Sequence, residues 1–250
     1  MSNSPNQSNA FGFGKAQFTA THWSVILTAR QGDTSECSAA LDVLCRTYWY
    51  PLYAYARRQG CDAAAAQDMT QGFFARLLEK DYLQAVDPRK GKFRSFLLAG
   101  MKHFLANEWR RSHVQKRGGS VRFISLDDTS AEQQYLQAPA AGLSPEKLFE
   151  QQWAMTLLDQ TISRLRGEFV SGGKETLFDE LKIFLTGEKA LSRYAELALK
   201  LQMTEAALKM AVSRMRQRYG ELLRKEIANT VPTAADVEEE LKALFAALST

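Results

Sequence analysis

At 250 residues the chain has room for two domains of ordinary size, and with 45% hydrophobic and 24% charged residues it can bury real cores, which excludes general disorder. The net charge of +4 hides two basic blocks: residues 102–122 carry six Lys or Arg against one acid, and residues 193–225 carry eight against three, so each block is +5 and points to an anionic partner. Cys37, Cys45 and Cys61 show no CxxC spacing and His22, His103 and His113 do not cluster with them, which argues against a disulfide framework or a metal site; no apolar run approaches the ~20 residues of a membrane span, and the first residues lack signal-peptide order. These features predict a cytoplasmic protein with no cofactor, no metal and no membrane partner.

In chain order, residues 1–17 are rich in Ser, Asn, Gln and Gly and read as a disordered tail. A helix is expected from Thr21 through Leu27, and a stronger one from Ser38 through Leu41, Leu44, Tyr48, Leu52 and Tyr55, with a kink or break at Pro51. Ala66, Met69, Phe73 and Leu77 form the next stripe. Residues 86–95, VDPRKGKFRS, read as a basic loop, followed by a helix from about Phe96 to Lys116 with Phe96, Leu97, Met101, Phe104, Leu105 and Trp109 as its buried side. Residues 125–143 lose periodicity, turn acidic and contain Pro139 and Gly142. This composition predicts a flexible linker spanning 123–143.

Ser144 then Pro145 is an N-cap followed by a proline at the first helical position, opening a helix with Phe149, Trp153, Leu157, Leu158, Ile162 and Leu165. Leu177, Leu181, Phe184 and Leu185 mark another. Ser192 and Thr204 are positioned to cap two further helices joined by a tight turn at Gln202 and Met203, the spacing of a helix-turn-helix. The second of these puts Leu208, Val212, Met215, Tyr219 and Leu222 on one face and Ala206, Lys209, Met210, Ser213, Arg214 and Gln217 on the other. Lys and Arg suit phosphates and guanine edges, Ser bridges either, and Ala or Met can meet a thymine methyl. Beyond it, Val237, Leu241, Leu244, Phe245 and Leu248 follow an amphipathic helical pattern whose first turns hold Asp236, Glu238, Glu239 and Glu240. That helix is expected either to pad the second domain or to dock near the basic C-terminal block and restrain it. No run shows sustained period-two alternation, so the fold class is all-α: two helical domains joined by a flexible linker, the C-terminal one with the helix-turn-helix.

The first basic block mixes cations with large rings: Arg89, Lys90, Lys92, Phe93, Arg94, Phe96, Lys102, Phe104, Trp109, Arg110 and Arg111. Such mixtures suit single strands, where cations follow phosphate and rings receive unstacked bases. Phe93, placed in the loop, is the preferred stacking ring.

DAAAAQDMTQGFFARLLEKDYL, then FRSFLLAGMKHFLANEWRRS, then the acidic segment, then RYAELALKLQMTEAALKMAVSRMRQRYGELL, in that order, resemble regions two and four of bacterial sigma factors of the extracytoplasmic-function type. The resemblance implies a non-enzymatic transcription initiation factor. It implies a region-two domain at 18–122, a linker at 123–143, a region-four domain at 144–230 and a C-terminal helix at 231–250. It places Asp68 and Gln71 against the β′ clamp helices of core RNA polymerase, and it makes the β flap a further contact. Arg89, Lys90, Lys92, Phe93 and Arg94 fall on the loop that captures a flipped base of the minus-ten element, and Asn107, Trp109, Arg110 and Arg111 on the helix that helps open it. Lys209, Ser213 and Arg214 fall on positions that read the minus-thirty-five element, and an anti-sigma factor is a further partner such proteins can have. Gly72 stands where an acid is usual, Gln202 where a turn glycine is usual and Ala207 where a threonine is usual, and the stretch 167–191 is longer than the family's short connection. A stand-alone helix-turn-helix regulator would explain only the second basic block. A nucleic-acid enzyme lacks its motifs: there is no paired-carboxylate motif, phosphate loop or HxE with CxxC.

Overall fold

A computed structural model describes residues 35–77, 91–114, 128–137, 142–185, 191–231 and 233–249. Among these residues there are nine α-helices, two short 3-10 turns and no strand: α1 (Ser35–Arg58), α2 (Ala63–Leu77), α3 (Phe93–Val114), α4 (Asp128–Gln137), α5 (Pro145–Ser171), α6 (Glu175–Leu181), α7 (Leu191–Lys200), α8 (Glu205–Ala228) and α9 (Val237–Leu248). The expected tail, the helix at 21–27 and the loop cations Arg89 and Lys90 lie outside the described residues.

Two helices organise the packing. Residues 47–56 of α1 are buried without interruption, so this stretch is apolar on all sides, as a helix at the centre of a core must be. Of the kink or break expected at Pro51, the break does not occur: α1 runs through it. Proline costs about 3 kcal/mol inside a helix, and here burial of Tyr48, Leu52, Tyr53 and Tyr55 on both sides of it offsets that cost. The second organiser, α5, has 27 residues and is about 40 Å long. Ser144 caps it by accepting from the Lys147 amide at 3.3 Å, with Pro145 opening the helix as expected. Leu148, Phe149, Trp153 and Leu157 on its first half join α1, α2 and α3 in one core, whereas Leu165 near its end joins Phe178, Leu181, Phe184, Leu197, Leu208, Val212 and Met215 in another. The division between the two cores therefore falls within α5, and within α8 between Leu222 and Leu223.

The 123–143 segment contains α4, which sequence periodicity did not reveal. Among the described side chains of α4, Ala131 is buried, the Tyr53 hydroxyl donates to Glu132 at 2.5 Å, and Arg57 pairs with Glu132 at 2.7 Å and lies over Tyr135 at 4.8 Å. Burial works against the Glu132 carboxylate, but Tyr53 and Arg57 outweigh it and hold its pKa below the usual value.

Three helix ends share one geometry. After α1, the Cys61 amide donates to the Ala56 carbonyl and the Gly60 amide to Arg57. The same 6→1 and 5→2 pair of bonds recurs after α5, around Gly173, and after α7, where Met203 donates to Ala198 and Gln202 to Leu199. The motif demands a left-handed residue. Gly60 (φ 97°) and Gly173 (φ 66°) meet the demand freely, while Gln202 adopts φ 54° with a side chain.

Candidate nucleic-acid interface

Helices α7 and α8 follow one another across the short turn at residues 201–204. Thr204 caps α8 by accepting from the Ala207 amide at 3.2 Å. Leu208, Val212, Met215 and Leu222 are buried, Tyr219 is half-buried, and Ala206, Lys209, Met210, Ser213, Arg214 and Gln217 are all exposed. The buried face is pinned from several directions. Arg216 donates twice to the Phe184 carbonyl at 3.1 and 2.8 Å, Phe184 stacks on Tyr194 at 4.6 Å, and Arg218 grips Glu168 of α5 with two bonds at 2.8 and 2.7 Å. The outward face carries Lys209, 3.7 Å from Glu205 one turn back, together with Ser213 and Arg214. An outward face of cations and a hydroxyl on a rigidly seated helix can enter a major groove.

The second exposed basic surface is the end of α3. Trp109 is 71% exposed, and with Arg110 and Arg111 it lines an open groove of about 1220 Å³ whose other walls include Tyr55, Cys61, Met69 and Lys102. Arg111 pairs with Glu108 at 2.8 Å, and Asn107 is half-buried. An exposed indole between cations offers a base a stacking surface.

The burial of Phe93 and Trp109 is the reverse of what their spacing suggests. Phe93 begins α3 instead of lying in the loop, is 0% exposed and packs edge-on against Tyr48 at 5.3 Å, so it presents no face to a base in this arrangement. Trp109, expected on the buried side by its spacing and at the opened minus-ten element by the resemblance, faces outward. Arg94 is also buried, at 6% exposure. Its Nε lies 2.8 Å from Glu150 of α5, it pairs closely with Glu240 of α9, and its guanidinium lies over Trp153 at 4.3 Å. Lys92 reaches Glu239 at 3.1 Å and Glu240 at 3.0 Å. Burial opposes charge on both cations, yet the facing carboxylates prevail and raise both pKa values.

Glu150, Trp153, Glu239 and Glu240 were not singled out as partners of the basic loop. One signal for Glu240 was available: it lies three residues after Val237 and four before Leu244, on the apolar stripe itself, where a charge needs a buried counter-charge.

Asp68 is exposed on α2 and Gln71 half-buried. Gly72, where an acid is usual in the family, has a physical reason to be small. A Cβ added there would lie 3.2 Å from the Phe104 ring, and that ring packs on Phe73.

Among the described residues no group of His, Cys, Asp and Glu could hold a metal ion, and no helix is long and apolar enough to cross a membrane. No curated protein and no solved structure matches the chain. The family model described as ECF sigma factor matches residues 23–230, a span that includes both basic surfaces and the helix pair between Leu191 and Ala228. With that match over most of its length, the chain belongs to the ECF sigma factor family, whose members act in transcription initiation as regulatory, non-enzymatic proteins.

Proposed function

We propose that this protein binds core RNA polymerase in the cytoplasm and directs it to promoters. Asp68 and Gln71 on α2 meet the β′ clamp helices, and the 144–230 part contacts the β flap. Lys209, Ser213 and Arg214 read the minus-thirty-five element, and Asn107, Trp109, Arg110 and Arg111 hold the opened minus-ten strand. Lys92 and Arg94, with Arg89 and Lys90, join that strand once Glu239 and Glu240 have left them, while Phe93 serves by packing. An anti-sigma factor is a fitting further partner. In this reading 18–122 and 144–230 are the two functional domains.

The observation that carries the reading is the pairing, in one chain, of an outward basic helix face suited to duplex DNA with a separate exposed indole and two arginines suited to single strands. A stand-alone regulator needs only the first. Mixing the purified chain with core polymerase tests it: co-elution is expected, weakened in Asp68→Ala. A chain that stays apart from the polymerase while binding a duplex site tightly and specifically would be a stand-alone regulator instead.

A further inference from the structure

The last helix divides its charged contacts between α8 and the start of α3. Helix α9 packs its apolar side on α5 and α8, and Glu238 meets Arg224 of α8 at 3.2 Å. Its next two carboxylates, however, turn to Lys92 and Arg94, which open α3. Glu240 is 0% exposed. A buried carboxylate is costly, and a leucine at that place would serve a core better. Its presence on the apolar stripe makes docking depend on the two cations.

Those cations belong to the basic segment that the proposed function assigns to the minus-ten strand. With Arg94 buried and Lys92 flanked by two carboxylates, a phosphate approaching either cation meets their negative charge and must compete with them. The apolar hold on α9 is incomplete. Leu241 and Leu244 are buried and Val237, Ala247 and Leu248 pack partly buried against the same core, but Phe245 is 55% exposed, and twelve residues must be ordered to seat them. The ionic cluster is the part of this hold that another anion can compete for.

We propose that α9 is an intramolecular latch: Glu239 and Glu240 occupy Lys92 and Arg94 in the closed state, and single-stranded DNA displaces them. The closed population then lowers the apparent DNA affinity by the fraction of molecules that are open. This inference rests on the proposed role of the 89–94 segment, although its test needs no polymerase.

The test uses the full chain and a single-stranded oligonucleotide. Glu239→Gln/Glu240→Gln keeps the side-chain shapes and removes the competing charges, and is expected to bind the oligonucleotide about tenfold tighter. Glu175→Gln/Asp179→Asn, two acids that pair locally with Arg166 and Lys182, changes net charge equally and is expected to show no such gain. In the unsubstituted protein, saturating oligonucleotide is expected to speed amide hydrogen exchange in residues 237–248. That second measurement decides the matter should the double variant fail to fold. Equal gains in both variants, no gain in a folded Gln variant, unchanged exchange, or no oligonucleotide binding at all would overturn the latch. Failure to co-elute with core polymerase would instead overturn the proposed function and leave these readouts standing.

Discussion

The Arg94 guanidinium lies over the Trp153 ring, 4.3 Å from its centroid, and so ties the start of α3 to the first half of α5 at a point where α9 also closes in through Glu240. Removing one member of a buried ion pair ordinarily costs about 3–5 kcal/mol, because the other charge is left unpaired. Here α9 can lift and return Glu240 to water. Arg94→Met is therefore expected to cost less than about 3 kcal/mol in urea unfolding, and Arg94→Met/Glu240→Leu to recover most of that loss.

Phe93 and Trp109 should separate folding from binding. Phe93→Ala removes a fully buried ring and is expected to cost about 3–5 kcal/mol of stability. Trp109→Ala should stay within about 0.5 kcal/mol in unfolding yet lose about 1–3 kcal/mol of single-strand affinity. Urea titration and fluorescence-anisotropy binding on both variants give the comparison.

The elements that were legible in the sequence announce themselves locally. Ser144–Pro145, Thr204 and the two-faced pattern of α8 need no distant partner to be read. Treating hydrophobicity as position puts Trp109 on the buried side and leaves Phe93 in the loop. At 3.6 residues per turn Trp109 lies about 120° around the helix from Leu97, off the buried stripe, while Phe93 lies one turn before Leu97 and on it. Helix α4 stayed hidden because, among its described side chains, Ala131 alone is buried and Glu132 and Tyr135 are half-buried, too few to set a period. The contact between Arg94 and Glu240 joins residues 146 apart, and local pattern carries no record of it.

Gln202 occupies the position that glycine fills after α1 and α5. A side chain in the left-handed region costs about 1–2 kcal/mol. Gln202→Gly is expected to raise the stability of the helix pair by about 1 kcal/mol, read as a higher urea midpoint with an unchanged slope. A lower midpoint would show that the Gln202 side chain makes a contact worth more than the strain.

Acid should loosen the molecule at identifiable places. Arg218 holds Glu168 below the usual carboxylate range, Lys102 does the same to Glu146, and Tyr53 with Arg57 prevail over burial at Glu132. A carboxylate whose folded pKa is depressed contributes stability that is present above its unfolded value, 4.5, and is lost as pH falls through the lower folded value. Stability measured by urea is therefore expected to drop as pH passes below 4.5, and to drop less steeply in Glu168→Gln, which removes one of the three.

Transcription with purified components tests the central claim most directly. Core RNA polymerase supplemented with this protein on a pool of promoter-bearing fragments is expected to yield transcripts with defined start sites, reduced about tenfold or more by Arg214→Ala if that side chain pairs with a guanine edge worth about 1–3 kcal/mol. Transcripts no different from those of core polymerase alone would contradict the account.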